Sequence, residues 1–138
     1  MKASEPRKIF VNLPVRSLPR SIEFWSKLGF AFDPRFTDDS ATCMILSDEA
    51  FVMLLVEARF KDFAKKEICD ARTRTEGIFG LTAGSKAEVD DLVKTALSSG
   101  ATPAADTMDH GFMYTRSFCD PDGHHWEVFW MDPNAIPQ

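Results

Sequence analysis

The sequence predicts an α+β fold made of two tandem βαβββ modules, and three observations carry that expectation. The order of strand-like and helix-like segments recurs after about 70 residues, as in an internal repeat. Each copy holds one capped amphipathic helix flanked by short apolar runs. The chain's 138 residues are about the length of one domain, enough to bury a core without disulfide or metal staples. Module one is expected over residues 8–57, a linker over 58–76 and module two over 77–132.

The opening run Lys8–Val15 is strand-like, and Pro14 marks its end or an edge position. A helix follows over Leu18–Leu28. Ser17 is its expected N-cap, Pro19 lies in its first turn and Gly29 ends it, while Leu18, Ile22, Trp25 and Leu28 form the apolar stripe. Three strands are expected at Phe30–Phe36, Ala41–Ser47 and Phe51–Glu57, separated by the polar turns Asp38-Asp39-Ser40 and Ser47-Asp48-Glu49. Phe60, Phe63, Ala64 and Ile68 then recur at helical spacing, which predicts a short amphipathic helix ahead of the polar stretch Asp70–Glu76.

The same order then returns. Gly77–Gly84 is a strand interrupted by Gly80. Ser85-Lys86-Ala87-Glu88 is a capping box opening a helix over Lys86–Ser99, with Val89, Leu92, Val93, Ala96 and Leu97 inward and Gly100 as its stop. Strands are expected at Ala101–Thr107, Phe112–Cys119 and His125–Met131, with Asp120-Pro121-Asp122-Gly123 as a tight turn before the last. Aligning the copies sets Phe10-Val11-Asn12-Leu13 against Ile78-Phe79-Gly80-Leu81, Ile22 and Trp25 against Val89 and Leu92, and Leu54 against Glu127. The copies share the order of their elements rather than their letters.

Composition narrows the function classes. Hydrophobic residues are 44% and charged residues 27%, an ordinary globular balance that excludes wholesale disorder. Sixteen basic against twenty-one acidic residues give a net charge of −5, and no basic stripe is present, so nucleic acid and anionic membranes are not expected partners. No apolar run approaches the roughly 18 residues of a membrane span. Cys43, Cys69 and Cys119 are odd in number and widely spaced, which argues against a zinc site or disulfide framework. Met1–Lys8 holds no apolar signal-peptide core. A reduced, cytoplasmic setting is the expectation. Twelve Phe and three Trp against one Tyr require a large packed interior, an apolar pocket or a subunit interface.

Two stretches carry a family resemblance. Phe10–Leu18 (Phe-Val-Asn-Leu-Pro-Val-Arg-Ser-Leu), followed by Ser21-Ile22-Glu23-Phe24-Trp25 and Leu28-Gly29-Phe30, resembles the opening signature of the vicinal oxygen chelate superfamily. Phe118–Phe129 (Phe-Cys-Asp-Pro-Asp-Gly-His-His-Trp-Glu-Val-Phe) resembles its closing signature. That superfamily includes glyoxalase I, bleomycin-resistance proteins and extradiol dioxygenases, and the wording here is similar to a subgroup of small glyoxalase-like proteins. The resemblance implies paired βαβββ modules forming a cup-shaped mixed sheet with helices outside, often in a homodimer. It also implies a divalent metal held by one residue from each of four strands.

Carried over by position, those four residues are Phe10, Leu54, Ile78 and Glu127, with one residue of slip open on the strand of Leu54. Phe, Leu and Ile offer no lone pair, and one carboxylate does not make a metal site. A displaced set of His125 and Glu127, with or without His110, is the alternative, because His125, Glu127 and Phe129 share one strand face. Extradiol enzymes place an acid–base tyrosine where this chain has Ser117. Glu127 is the candidate catalytic acid–base group. Phe10, Asn12, Leu54, Ile78, Ser117 and His125 are the candidate ligand-binding residues. Tyr114 and Arg116 fall on the other strand face and read as structural, and Cys43 and Cys119 read as small core residues.

Three readings follow. The chain is expected to bind a small organic molecule in an apolar cup with no cofactor. The alternatives are a metal-free enzyme using Glu127, and a metal-dependent lyase or isomerase of the glyoxalase I type with the metal at Glu127. No dinucleotide or P-loop fingerprint is present.

Overall fold

Alternating apolar residues in the opening run make β1 (Ile9–Val15), whose Leu13 and Val15 are buried while Phe10 and Asn12 are not. These observations come from a computed structural model that describes residues 4–135. The chain divides into two compact units, one ending at Ile68 and one beginning at Cys69.

In the first unit β1 leads into α1 (Leu18–Lys27). The Ser17 hydroxyl accepts the Arg20 N–H at its start, and Leu28 closes it, so the expected boundaries hold. Its apolar stripe buries Leu18, Phe24 and Trp25, with the two rings edge to face at 5.1 Å. The expected strand at Phe30–Phe36 is shorter: β2 covers Ala31–Asp33, and Pro34–Phe36 is a 3₁₀ turn. The Asp33 carboxylate stops the strand by capping Arg35 N–H and pairing with the Arg35 guanidinium at 2.8 Å. Next come β3 (Ala41–Ile45) and β4 (Ala50–Val56). The sheet order is β1-β4-β3-β2, with β1 parallel to β4 and the other pairs antiparallel. α2 (Glu57–Phe63) leaves β4 without a loop, ends at Phe63 with Ala64 as its C-cap, short of Ile68, and buries none of its residues.

The second unit repeats the plan. β5 (Ile78–Thr82) precedes α3 (Lys86–Ser98), whose Ser85 hydroxyl accepts the Glu88 N–H. The Glu88 carboxylate reaches one residue further back than a capping box requires, to the Gly84 N–H. The strand expected at Ala101–Thr107 is reduced to β6 (Thr102–Pro103), and a second two-residue strand, β7 (Met108–Asp109), pairs further along. Pro103 and the polar loop after it prevent a continuous ladder. β8 (Met113–Cys119) and β9 (His125–Met131) complete a five-stranded sheet of order β5-β9-β8-β6, with β7 also on β8 and β5 parallel to β9. Val89, Val93 and Ala96 of α3 and Phe118, Trp126 and Val128 of the sheet are buried as this unit's core.

Each unit is therefore a mixed sheet with a parallel pair at one edge and α1 or α3 on one face, and in the first unit α2 lies against the other face. The α+β class and the repeated module are as expected from the sequence, with the strands forming two sheets, one in each unit.

Candidate functional site

Strand periodicity decides which residues stand on the sheet face away from α1 and α3. In the first unit Phe10 is paired with Phe51, Asn12 with Met53 and Pro14 with Leu55, so these six share one face. Phe10 and Phe51 stack there at 4.7 Å, with Phe10 still 48% exposed. Leu54 is paired with Leu13 on the opposite, helix-packed face and is wholly buried. The register thus moves the expected ligand-strand position from Leu54 to Met53. Within the second unit the equivalent pairs are Ile78 with His125 and Gly80 with Glu127, so Met53 and Glu127 hold matching places in their own sheets.

On the free face of the second unit, Ile78 is 56% exposed and the Phe129 ring lies against Gly80, 3.1 Å from where a Cβ would stand. His125 and Glu127 stand side by side at two-residue spacing. His125 Nε2 is 3.8 Å from Glu127 Oε1 and has no hydrogen-bond partner among the described residues. Ser117 is paired with Glu127 across the β8–β9 ladder, but its hydroxyl is committed elsewhere. It donates to the Ala105 carbonyl at 3.2 Å and accepts the Ala105 N–H at 2.8 Å. Its role is to hold the loop after β6.

The Asp-Pro-Asp-Gly turn has a structural job that positions these residues. The Asp120 carboxylate accepts the N–H of Asp122 at 2.9 Å, the N–H of His124 at 3.0 Å and the Trp126 indole N–H at 3.0 Å. Burial pushes the Asp120 carboxyl above its usual range, opposed by the charge of His124 and the Trp126 hydrogen bond. Gly123 has φ of +96°, and a Cβ there would sit 2.7 Å from the Ala71 carbonyl. The turn fixes the start of β9 and with it His125 and Glu127. His124 is buried beside Asp120.

Tyr114 and Arg116 are anchors, as their face suggested. The Tyr114 hydroxyl donates to Asp90 at 2.6 Å and the Arg116 guanidinium at 3.1 Å, tying β8 to α3. Burial raises the thiols of Cys43 and Cys119, which disfavours a thiolate at either position.

The donor set does not fit the metal that the resemblance implies. Phe10 and Ile78 carry no donor atom, Met53 offers only a weak thioether, and Glu127 alone supplies a carboxylate. His110 lies in the turn after β7, against Phe112 at 6.3 Å, and does not join His125 and Glu127. Among the described residues no three His, Cys, Asp or Glu side chains gather as a metal site.

A cavity of about 370 Å³ lies in the first unit, between α2 and the sheet face that carries Asn12 and Leu55. Asn12, Leu55, Phe60, Phe63 and Ala64 line it. Sequence reasoning singled out Asn12 and noted the helical spacing of Phe60, Phe63 and Ala64, but did not join them. The signal was present: a helix starting directly after β4 must lie beside that strand.

Comparison with known structures places the fold in a defined class. A hypothetical protein from S. aureus superposes with a TM-score of 0.77 at 22% identity, over 92% of this chain and 95% of that one. A glyoxalase-related enzyme from Fulvimarina pelagi gives 0.76 at 16% identity, over 91% and 88%. A glyoxalase/bleomycin resistance protein/dioxygenase family enzyme from Burkholderia phytofirmans gives 0.73 at 15%, over 88% and 96%. No curated protein matched the sequence directly. The family model of the glyoxalase/bleomycin resistance protein/dioxygenase superfamily matches residues 9–128, and the chain belongs to that superfamily. No helix among the described residues is long and apolar enough to cross a membrane.

Proposed function

We propose that this chain binds a small, largely apolar organic molecule without the divalent metal that the resemblance implies. The observation that carries this reading is the absence of oxygen or nitrogen donors at Phe10, Met53 and Ile78 on the sheet faces away from α1 and α3. Such surfaces hold a ligand by hydrophobic contact, with a few polar groups setting its orientation. A fold alone does not fix a function, so the donor chemistry is what supports this choice within the superfamily.

The test is elemental analysis of protein purified without chelator, with thermal unfolding measured before and after chelator treatment. No divalent metal near one equivalent and an unchanged midpoint are expected, because a metal bound to the folded state alone would add stability by mass action. One equivalent held by Glu127 would overturn the reading and favour a lyase or isomerase of the glyoxalase type.

A metal-free enzyme is the second reading, favoured by the His125–Glu127 pair: Glu127 would act as an acid–base group with His125 positioning it. A Glu127→Gln variant that keeps ligand affinity while losing turnover would support it. A homodimer and a cytoplasmic setting belong to the same proposal. Sedimentation at micromolar protein checks the first, and a 15.5 kDa monomer is the contrary result.

A further inference from the structure

Resting on the reading of an apolar binding protein, we infer that the cavity between α2 and the β1–β4 pair is the ligand site. Its ligand is an uncharged aromatic molecule carrying one hydrogen-bonding group that meets the Asn12 amide. The volume of about 370 Å³ is at the low end of the roughly 300–1,000 Å³ of small-molecule sites. Its lining decides the ligand's chemistry. Phe60 and Phe63, three residues apart on α2, present two rings, while Leu55 and Ala64 add aliphatic surface.

Among the described residues none that lines the cavity is charged, so an anionic or cationic ligand would lose its hydration with no lining charge to replace it. The Arg59 guanidinium beside the Phe63 wall is already engaged: it lies 5.1 Å from the centre of that ring and pairs with Asp62 at 3.6 Å. Among the described residues Asn12 is the one polar side chain in the lining. Its amide N–H donates to the Phe10 carbonyl at 3.2 Å, which leaves the amide oxygen as an acceptor for a ligand N–H or O–H.

The wall itself is lightly held. α2 buries none of its residues, lacks a side-chain cap, and leaves Phe63 64% exposed. A ligand would cover that ring, and changes at Phe63 or Ala64 leave the buried core untouched.

The experiment titrates N-phenyl-1-naphthylamine, a neutral two-part aromatic with one N–H, and follows its fluorescence. A parallel titration uses 8-anilinonaphthalene-1-sulfonate, the same ring system with an added anionic group. Saturable binding of the neutral probe at one site per chain is expected, with the sulfonate at least tenfold weaker. Ala64→Trp, which fills the cavity, should weaken the neutral probe at least tenfold while far-UV circular dichroism and the unfolding midpoint stay at wild-type values. Asn12→Leu should weaken the amine severalfold and leave its N-methyl derivative unchanged. Binding that survives Ala64→Trp overturns the cavity assignment and leaves the metal-free binding reading standing. Equal affinity for the sulfonate overturns the assignment of ligand charge, and no binding of the neutral probe overturns the inference outright. A stoichiometric metal at Glu127 would contradict the proposed function without touching any of these results. Should Ala64→Trp misfold, Phe63→Asp places a charge at the exposed wall and is expected to produce the same loss.

Discussion

Replacing Asp120 should be among the more damaging single changes in the second unit, and its cost can be worked from three hydrogen bonds. The carboxylate serves the N–H groups of Asp122 and His124 and the Trp126 indole, and both His124 and Trp126 are buried. Asp120→Ala leaves those two donors without their acceptor, at about 1–3 kcal/mol each. Removing a buried carboxylate also removes its desolvation cost, which the upward shift of its ionisation reveals. A net loss of about 3 kcal/mol is the expected outcome of these opposing effects. Asp120→Asn keeps one oxygen for the backbone donors but turns an N–H₂ towards Trp126 or the turn, so about half that loss is expected.

Urea unfolding followed by tryptophan fluorescence reads both variants. With a slope of about 1.5 kcal/mol per molar, the alanine variant's midpoint should fall by about 2 M at unchanged slope. A loss below about 1 kcal/mol for Asp120→Ala would refute the account of the turn as a buried acceptor hub. The asparagine variant keeps the test decisive if the alanine protein does not fold.

Gly123→Ala and Gly29→Ala form a matched pair. Both glycines have positive φ, but a Cβ at Gly29 meets nothing within 4 Å, whereas at Gly123 it collides with the Ala71 backbone. Gly29→Ala should cost about 1–2 kcal/mol from the backbone alone, and Gly123→Ala clearly more; equal urea midpoints would contradict the close approach. The chain's single tyrosine gives a clean optical titration. Its hydrogen bond to Asp90 holds the Tyr114 hydroxyl above its ordinary value and Asp90 below its own. Tyrosinate absorbance should therefore rise with a midpoint above about 10, and Asp90→Asn should bring it down. The sign for stability follows from linkage. The Tyr114 contribution is complete below the unfolded tyrosine value and lost as pH rises through the folded one. The Asp90 contribution is complete above the unfolded carboxylate value and lost as pH falls through its lowered one. A titration midpoint indifferent to Asp90→Asn would show that the contact is not formed.

What the sequence disclosed follows from where its signals are local. Ser17 and Ser85 announce helix starts through a side chain that reaches only three residues, and both helices begin where those serines place them. The closing turn is equally local. The side assignment on β4 was not legible, because Phe51-Val52-Met53-Leu54-Leu55-Val56 is apolar on both faces and lacks the alternation that would set its register. Only pairing with β1 separates Met53 from Leu54. The strand expected at Ala101–Thr107 was also misjudged, since its pairing depends on a partner strand and not on its own residues. Ser117 looked available by strand face, but its hydroxyl is taken by a loop whose path no local pattern reveals. The α2 cavity was half visible, in Phe60 and Phe63, with its other wall supplied by strands.

The most direct test of the central claim, binding without a metal, is calorimetric titration of chelator-stripped protein with Zn²⁺, Ni²⁺, Mn²⁺ and Fe²⁺, each repeated on Glu127→Gln. Phe10, Met53 and Ile78 stand where oxygen or nitrogen donors would be needed, so the account expects no stoichiometric binding and identical weak traces from both proteins. One equivalent of any of these ions bound by the wild type and lost in Glu127→Gln would contradict it.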